Sequence, residues 1–276
     1  MSLRKLYAPQ AFERPKSISW DAPSQAISEW ASKPYAAEAE NDATISIYEY
    51  IGEDAFMGGF GAKRMAGILR SIGDKPVTVN INSPGGDFFD GVAIYNLLRE
   101  HPQSVTVKVM GVAASAASII AMAGDKILMG AGTSMMIHNA WGVVVGNQND
   151  FREAADTFEI FDASMLSIYA ARSGGTEKEI KKMMDAETFV SADDAVKFGF
   201  ADEVVNLPVS KQPEQDKASA KKQFEAILAK EGVPRSERRK LFRELTSTQD
   251  AADDVMSSAD IWPMAEMKNL LKTLTV

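Results

Sequence analysis

Cysteine is absent from all 276 residues. Its absence excludes disulfides, thiolate metal sites and a cysteine nucleophile, and it fits a reducing compartment. Histidine is nearly absent as well, with only His101 and His138 present. A multi-histidine metal site is therefore excluded, and neither a metal nor an organic cofactor is expected. Basic excess is missing too: 30 Lys and Arg against 38 Asp and Glu leave a net charge of −8. That balance argues against nucleic acid as a partner, because a nucleic-acid footprint needs a basic face. There is no long hydrophobic run. The longest apolar stretch, 111–124, is too short and too rich in Gly, Ala and Ser to span a bilayer. Residues 1–20 are polar, with Arg4, Lys5, Arg14 and Lys16 scattered through them, and show no signal peptide. The expectation is a soluble, cytoplasmic protein with one substantial core.

Three regions follow from the pattern of residues. The first, 1–42, reads as an extended N-terminal arm punctuated by Pro9, Pro15, Pro23 and Pro34, with Trp20 and Trp30 as its large anchors. The second, 43–206, alternates short β-like and helical runs. Strand patterns cover 43–51, 76–82, 105–110, 126–129 and 134–137, and helical patterns cover 60–72, 89–100 and 115–123. This alternation predicts βαβ units and a mostly parallel, helix-covered sheet. The longest helix is expected over Asn149–Ser173, stopped by Gly174-Gly175. Its apolar positions are spread too widely for a single buried stripe. Shorter helices are expected over 177–184 and from Ser191 to near Gly199. The third region, 207–276, opens on a polar linker, 208–221, with almost no core-forming residues. Charged amphipathic helices are expected at 223–230, 236–245 and 264–274.

The chemistry centres on Gly111-Val112-Ala113-Ala114-Ser115-Ala116-Ala117-Ser118. A small-residue turn between a strand and a helix presents a side chain where backbone N–H groups gather. Ser115 there is either a simple N-cap or a nucleophile with oxyanion donors at hand. Asn82-Ser83-Pro84-Gly85-Gly86 follows a buried strand, where paired glycines allow positive φ or a close backbone approach. His138 ends another short strand. Asp185, Glu187, Asp193 and Asp194 supply carboxylates near a later helix start. Each of these signals has an ordinary structural explanation. Together, a serine, a histidine and a carboxylate beside a glycine turn are the parts that acyl transfer requires.

Four segments occur in the order found in the Clp protease proteolytic subunit, which the sequence resembles over about residues 43–206. They are Ile81-Asn82-Ser83-Pro84-Gly85-Gly86, Gly111-x-Ala113-Ala114-Ser115, Met135-Met136-Ile137-His138 and Phe189-x-Ser191-Ala192-x-x-Ala195-x-x-Phe198-Gly199. The versions at Phe89–Tyr95 and Ala114–Ser118 look most like the phage and prophage branch associated with head maturation. The resemblance implies an α/β, crotonase-like spiral of ββα units with a protruding long handle helix, and a serine endopeptidase activity. Ser115 would be the nucleophile and His138 the general base, with the N–H groups of Gly86 and Ala116 as oxyanion donors. Ser118 would pack. The family places an aspartate two positions before the phenylalanine of the last motif; here Glu187 stands there, with Asp185 as the alternative acid. Gly85, Val143 and Val144 would line the substrate groove.

The same resemblance implies polypeptide substrates and a homo-oligomeric ring, with rings stacked through Asn149–Ser173. The arm does not resemble the segment by which the housekeeping enzyme docks an ATPase, so an ATPase unfoldase and phage capsid or scaffold proteins both stand as expected partners. The site of action is then the cytoplasm or an assembling prohead. Two other functions stay open: a crotonase-type acyl-CoA enzyme, which shares the oxyanion glycines, and a non-catalytic scaffold on the same fold.

Overall fold

Val105, Val107 and Val109 are fully buried on alternate positions of the longest strand, and the sheet is laid down around them. The computed structural model describes residues 18–20, 22–32, 43–53, 59–206, 225–230, 232–234 and 237–241. Five strands run parallel in the order β2 (Thr44–Ile47), β3 (Val77–Ser83), β4 (Val105–Ala114), β5 (Lys126–Gly130) and β9 (Glu203–Val205). Two more leave this path: β6 (Ser134–Ile137) pairs parallel with β4, and β8 (Thr188–Ser191) pairs antiparallel with β6.

The strand β4 therefore forks. Thr106–Val109 pair with β5, whereas Val112–Ala114 pair with β6. The small-residue segment 111–114, expected as a turn, is strand up to Ala114. Its partner lies twenty-odd residues away in sequence, so local composition could not reveal the pairing. At the fork the β3 register slips between Ile81 and Ser83. Asn82 fills the irregularity, its Oδ1 accepting the Val112 N–H at 3.1 Å. A Cβ on Gly111 would lie 2.5 Å from that oxygen, which is why glycine stands there.

Helices α2 (Ala62–Ile72), α3 (Phe88–Arg99) and α4 (Ala116–Ala121) follow successive strands and bury Met65, Ile94, Tyr95, Leu98, Ile119 and Ile120 against the sheet. The helix α5 (Gln148–Ser173) starts on an Asn147/Asp150 capping box and ends on Gly174 at φ 71°, the left-handed cap that glycine tolerates best. Its C-terminal half buries Phe161, Met165, Ile168 and Tyr169, whereas Phe151 and Ile160 in its N-terminal half stay exposed. Beyond it come α6 (Glu177–Asp185), capped by Thr176 and Glu179, and α7 (Ala192–Lys197), capped by Ser191. Arg172 ties α5 to the last strand through the Gly199 carbonyl and Asp202.

The arm is not wholly extended. Ser24–Ser32 forms helix α1, bounded by Pro23 and Pro34 in the sequence. Ala26, Ile27 and Trp30 share its buried face, and Trp30 Nε1 donates to the Asn82 carbonyl at 2.8 Å. With Tyr50, Val112, Ala114, Met136 and Ala229 they form a second apolar cluster, distinct from the main core. Before α1, β1 (Ile18–Trp20) pairs antiparallel with β7 (Gly142–Val144). Residues 225–230 are helical, and Tyr50 donates to Glu225 at 3.2 Å. Residues 1–235 make one compact unit and 236–276 another, in which 237–241 are helical. The expected linker at 208–221 and helix at 264–274 lie outside the described residues. Among the described residues, no helix is long and apolar enough to cross a membrane.

Candidate active site

Gly85 and Gly86 carry φ of 92° and 145°, values open to glycine and strained for other residues. Sterics demand them as well. A Cβ on Gly85 would sit 2.6 Å from both the Ala114 carbonyl oxygen and the Ser115 Cβ, and one on Gly86 would collide with the Ile51 backbone. The glycine turn is thus packed directly on Ser115. It is pinned to Ile51 by two backbone hydrogen bonds, Ile51 N–H to Gly85 O and Asp87 N–H to Ile51 O. Between those bonds the Gly86 N–H has no acceptor among the described residues, and neither does the N–H of Ala116 at the start of α4.

Ser115 closes β4 at φ 55° and ψ −129°, a region that a side-chain-bearing residue enters only under constraint. Such a backbone costs on the order of 1–3 kcal/mol and persists where the surroundings over-determine it. Here the surroundings are visible. The Ser115 N–H donates to Met136 O across the β4–β6 ladder, and its carbonyl accepts from the Ser118 N–H and Oγ. Ser118 is fully buried and shares its hydroxyl with Tyr169 at 2.8 Å, so it braces the turn from beneath.

One cleft is lined by Ser115, His138, Gly86 and Ala116, with Phe88 and Trp141 on its walls. His138 is 3% exposed, and its Nε2 has no hydrogen-bond partner among the described residues. Burial depresses its pKa to about 4, against a smaller opposing effect of the Asn139 backbone. The ring is consequently neutral at pH 7, the form able to accept a proton.

The carboxylates lie around this histidine without touching it. Glu187 sits exposed in the turn before β8 at φ 46°, and its side chain makes no hydrogen bond among the described residues. Asp185, also exposed, accepts from Asn139 Nδ2 at 2.9 Å and from Lys181 at 3.4 Å. Chiefly through the Asn139 bond, its pKa is lowered. A third acid, Asp162 of α5, was not singled out from the sequence. It accepts the Ala140 N–H at 2.5 Å, and partial burial raises its pKa. In the sequence Asp162 is the one carboxylate between Phe161 and Ile168, but only the packing of α5 shows that it reaches the Ala140 N–H.

Of the remaining groove candidates, Gly85 is buried under Ser115, while Val143 and Val144 pair with Ser19 and Ile18 on the β1–β7 ladder. Asp193 and Asp194 belong to the first turn of α7, where Asp194 bonds Ser191 and Lys197.

The fold is thus a mixed α/β spiral whose strand ends and first helical turns converge on one serine-bearing cleft. A family model described as Clp protease matches residues 61–208, more than half of the chain, and the chain belongs to that family of proteases. A solved structure of ClpP1 from Listeria monocytogenes, an asparagine-to-aspartate mutant, has the same fold. The two superpose with a TM-score of 0.52 at 24% identity, over 60% of this chain and 92% of that one.

Proposed function

We propose that the chain is a serine endopeptidase in which Ser115 attacks the scissile carbonyl and His138 Nε2 takes up its proton, returning it later to the leaving amine. The oxyanion is held by the N–H groups of Gly86 and Ala116. The observation that carries this reading is the constrained Ser115 backbone, packed on the glycine turn and sharing a cleft with a neutral imidazole whose Nε2 has no partner among the described residues. An acyl-CoA enzyme on this fold would need the two oxyanion donors but not the serine–histidine pair.

The imidazolium formed on proton uptake is disfavoured in so buried a place, so turnover needs a carboxylate beside it. Glu187 is assigned that role. Its side chain is uncommitted, whereas Asp185 is engaged by Asn139 and Lys181. Glu187→Gln is expected to lower kcat about a hundredfold or more and Asp185→Asn far less, by the usual scale for losing an acid–base element. The reverse order would transfer the role to Asp185.

Substrates are proposed to be unfolded polypeptides, reached in a homo-oligomeric ring that uses the exposed half of α5 for contacts. The sequence variants at Phe89–Tyr95 and Ala114–Ser118 favour capsid-associated substrates in a phage or prophage setting. The test is a serine-directed fluorophosphonate with intact mass and casein hydrolysis, on the wild type and on Ser115→Ala. One adduct on the wild type and none on the variant is expected, with hydrolysis lost by several orders of magnitude. An adduct on both proteins would remove Ser115 from the mechanism.

A further inference from the structure

The chain supplies its own extended strand to β7, which begins at the residue after the cleft-lining Trp141. Trp141 lines the cleft and Gly142 begins β7, so the strand starts four residues from His138, at most about 14 Å of chain. On β7 lies β1, antiparallel, with Ile18 opposite Val144, Ser19 opposite Val143 and Trp20 opposite Gly142. Thus β1 runs toward the cleft, and it is the strand that β7 pairs with among the described residues. A protease that accepts many sequences holds its substrate mainly through backbone hydrogen bonds, by adding it as a strand to an exposed edge. The geometry points to β1 as an intramolecular competitor: the arm occupies the edge of β7 that an extended polypeptide substrate takes during turnover. This deepens, and rests on, the Ser115 peptidase reading.

Two features suit β1 to occupancy that can be reversed. It is short, three residues, and each strand hydrogen bond adds little net stability, so a longer peptide can displace it. It is also leashed. Helix α1 begins four residues after Trp20 and is held by Ala26, Ile27 and Trp30 in the second apolar cluster and by the Trp30–Asn82 hydrogen bond. A strand tied so closely to its site acts at an effective concentration of about millimolar, enough to compete despite its few bonds. The arrangement also sets the polarity of the substrate, which lies antiparallel to β7 with its C-terminal direction toward the cleft.

The cysteine-free sequence permits a clean test in the full-length chain. Ser19 and Val143 are Cα partners, and antiparallel partners lie about 4.5–5.5 Å apart, within disulfide range. The double variant Ser19→Cys with Val143→Cys is oxidised, and cross-linking is verified by mass. Labelled casein hydrolysis and fluorophosphonate labelling are then compared before and after reduction. Expected is a KM for casein raised about tenfold or more in the oxidised form, restored by reductant, with the rate of phosphonate labelling unchanged between the two. Equal casein kinetics in both forms would overturn the inference, and so would failure of the pair to cross-link. Absence of a phosphonate adduct in both forms would overturn the Ser115 reading, and this one with it. A second variant, Ser19→Pro, removes one backbone donor from β1. It should lower KM below that of the wild type, and an unchanged KM with normal labelling counts against the inference.

Discussion

Burial holds the His138 pKa at about 4, against 6.5 for an unperturbed imidazole, and this has a consequence for stability. The folded state prefers the neutral ring, while the unfolded chain takes up a proton as soon as pH falls below 6.5. Stability is therefore fully present above about pH 7 and is lost as pH falls from 6.5 toward 4, by up to about 3 kcal/mol for this one group. His138→Gln keeps a polar side chain of similar reach that does not titrate. Chemical denaturation at pH 7 and at pH 4.5 should show the wild type losing more stability than this variant over the interval. Equal losses would mean that the imidazole is not desolvated as the fold implies. The same residue explains a limit on sequence reading. That a histidine follows Ile137 is plain in the chain, but the cleft it lines is completed by Met165, Ile119 and Phe88, which arrive from three separate helices.

Two helices grip the segment that follows His138. The Ala140 N–H is held by Asp162 of α5 and the Asn139 side chain by Asp185 of α6, so the imidazole's orientation is set from both sides of the α5–α6 pair. Asp162→Ala removes one grip and should lower kcat about tenfold with KM little changed, since small misplacements of a reacting group are costly. Asp162→Asn keeps a carbonyl oxygen for the Ala140 N–H and should restore most of the rate. If both variants fall equally, the carboxylate charge matters rather than the hydrogen bond. The elements themselves were legible to different degrees. Helices α2, α3 and α5 announced themselves through apolar spacing and through their stops, the 101–102 His-Pro step and Gly174. Strand β9 has only three residues, too few for a period-2 pattern, and exists because Leu128–Gly130 offer it an edge. Helix α1 was hidden by the prolines around it and by a buried face of just Ala26, Ile27 and Trp30. The placement of Ser115, His138 and the glycine turn at strand ends could be read, because each follows a strand pattern with a distinctive neighbour. How the carboxylates stand around the histidine could not be read, because it depends on the packing of α5, which carries Asp162, of α6, which ends at Asp185, and of the turn before β8, which holds Glu187.

At the scale of the molecule, one unit carries more apolar surface than a lone chain uses. Phe151 and Ile160 of α5 are each 52% exposed, Val145 just before the helix is 84% exposed, and Trp141 and Val143 nearby are 41% and 36% exposed. Scattered apolar residues on a surface need no explanation, but these five fall within twenty residues on one strand–helix segment. The half of α5 that carries Phe151 buries only Ala154, whereas the half that carries Tyr169 supplies the other buried residues of the helix. Substitutions at the exposed positions should consequently leave the folded subunit nearly untouched, within about 0.5 kcal/mol, as for ordinary surface sites. Assembly should respond instead. The double variant Phe151→Glu with Ile160→Glu is expected to shift sedimentation to smaller species, while its denaturation midpoint matches that of the wild type when both are diluted until neither assembles. Hydrolysis of casein should fall with the assembly if a ring built on α5 steadies Asp162 and, through the Asp162–Ala140 hydrogen bond, the loop that carries His138. Sedimentation unchanged from the wild type would remove α5 as the contact surface, and a lowered midpoint would show that these side chains serve the subunit itself. If assembly breaks while casein turnover persists, the cleft is complete within one chain and the ring serves only to confine it.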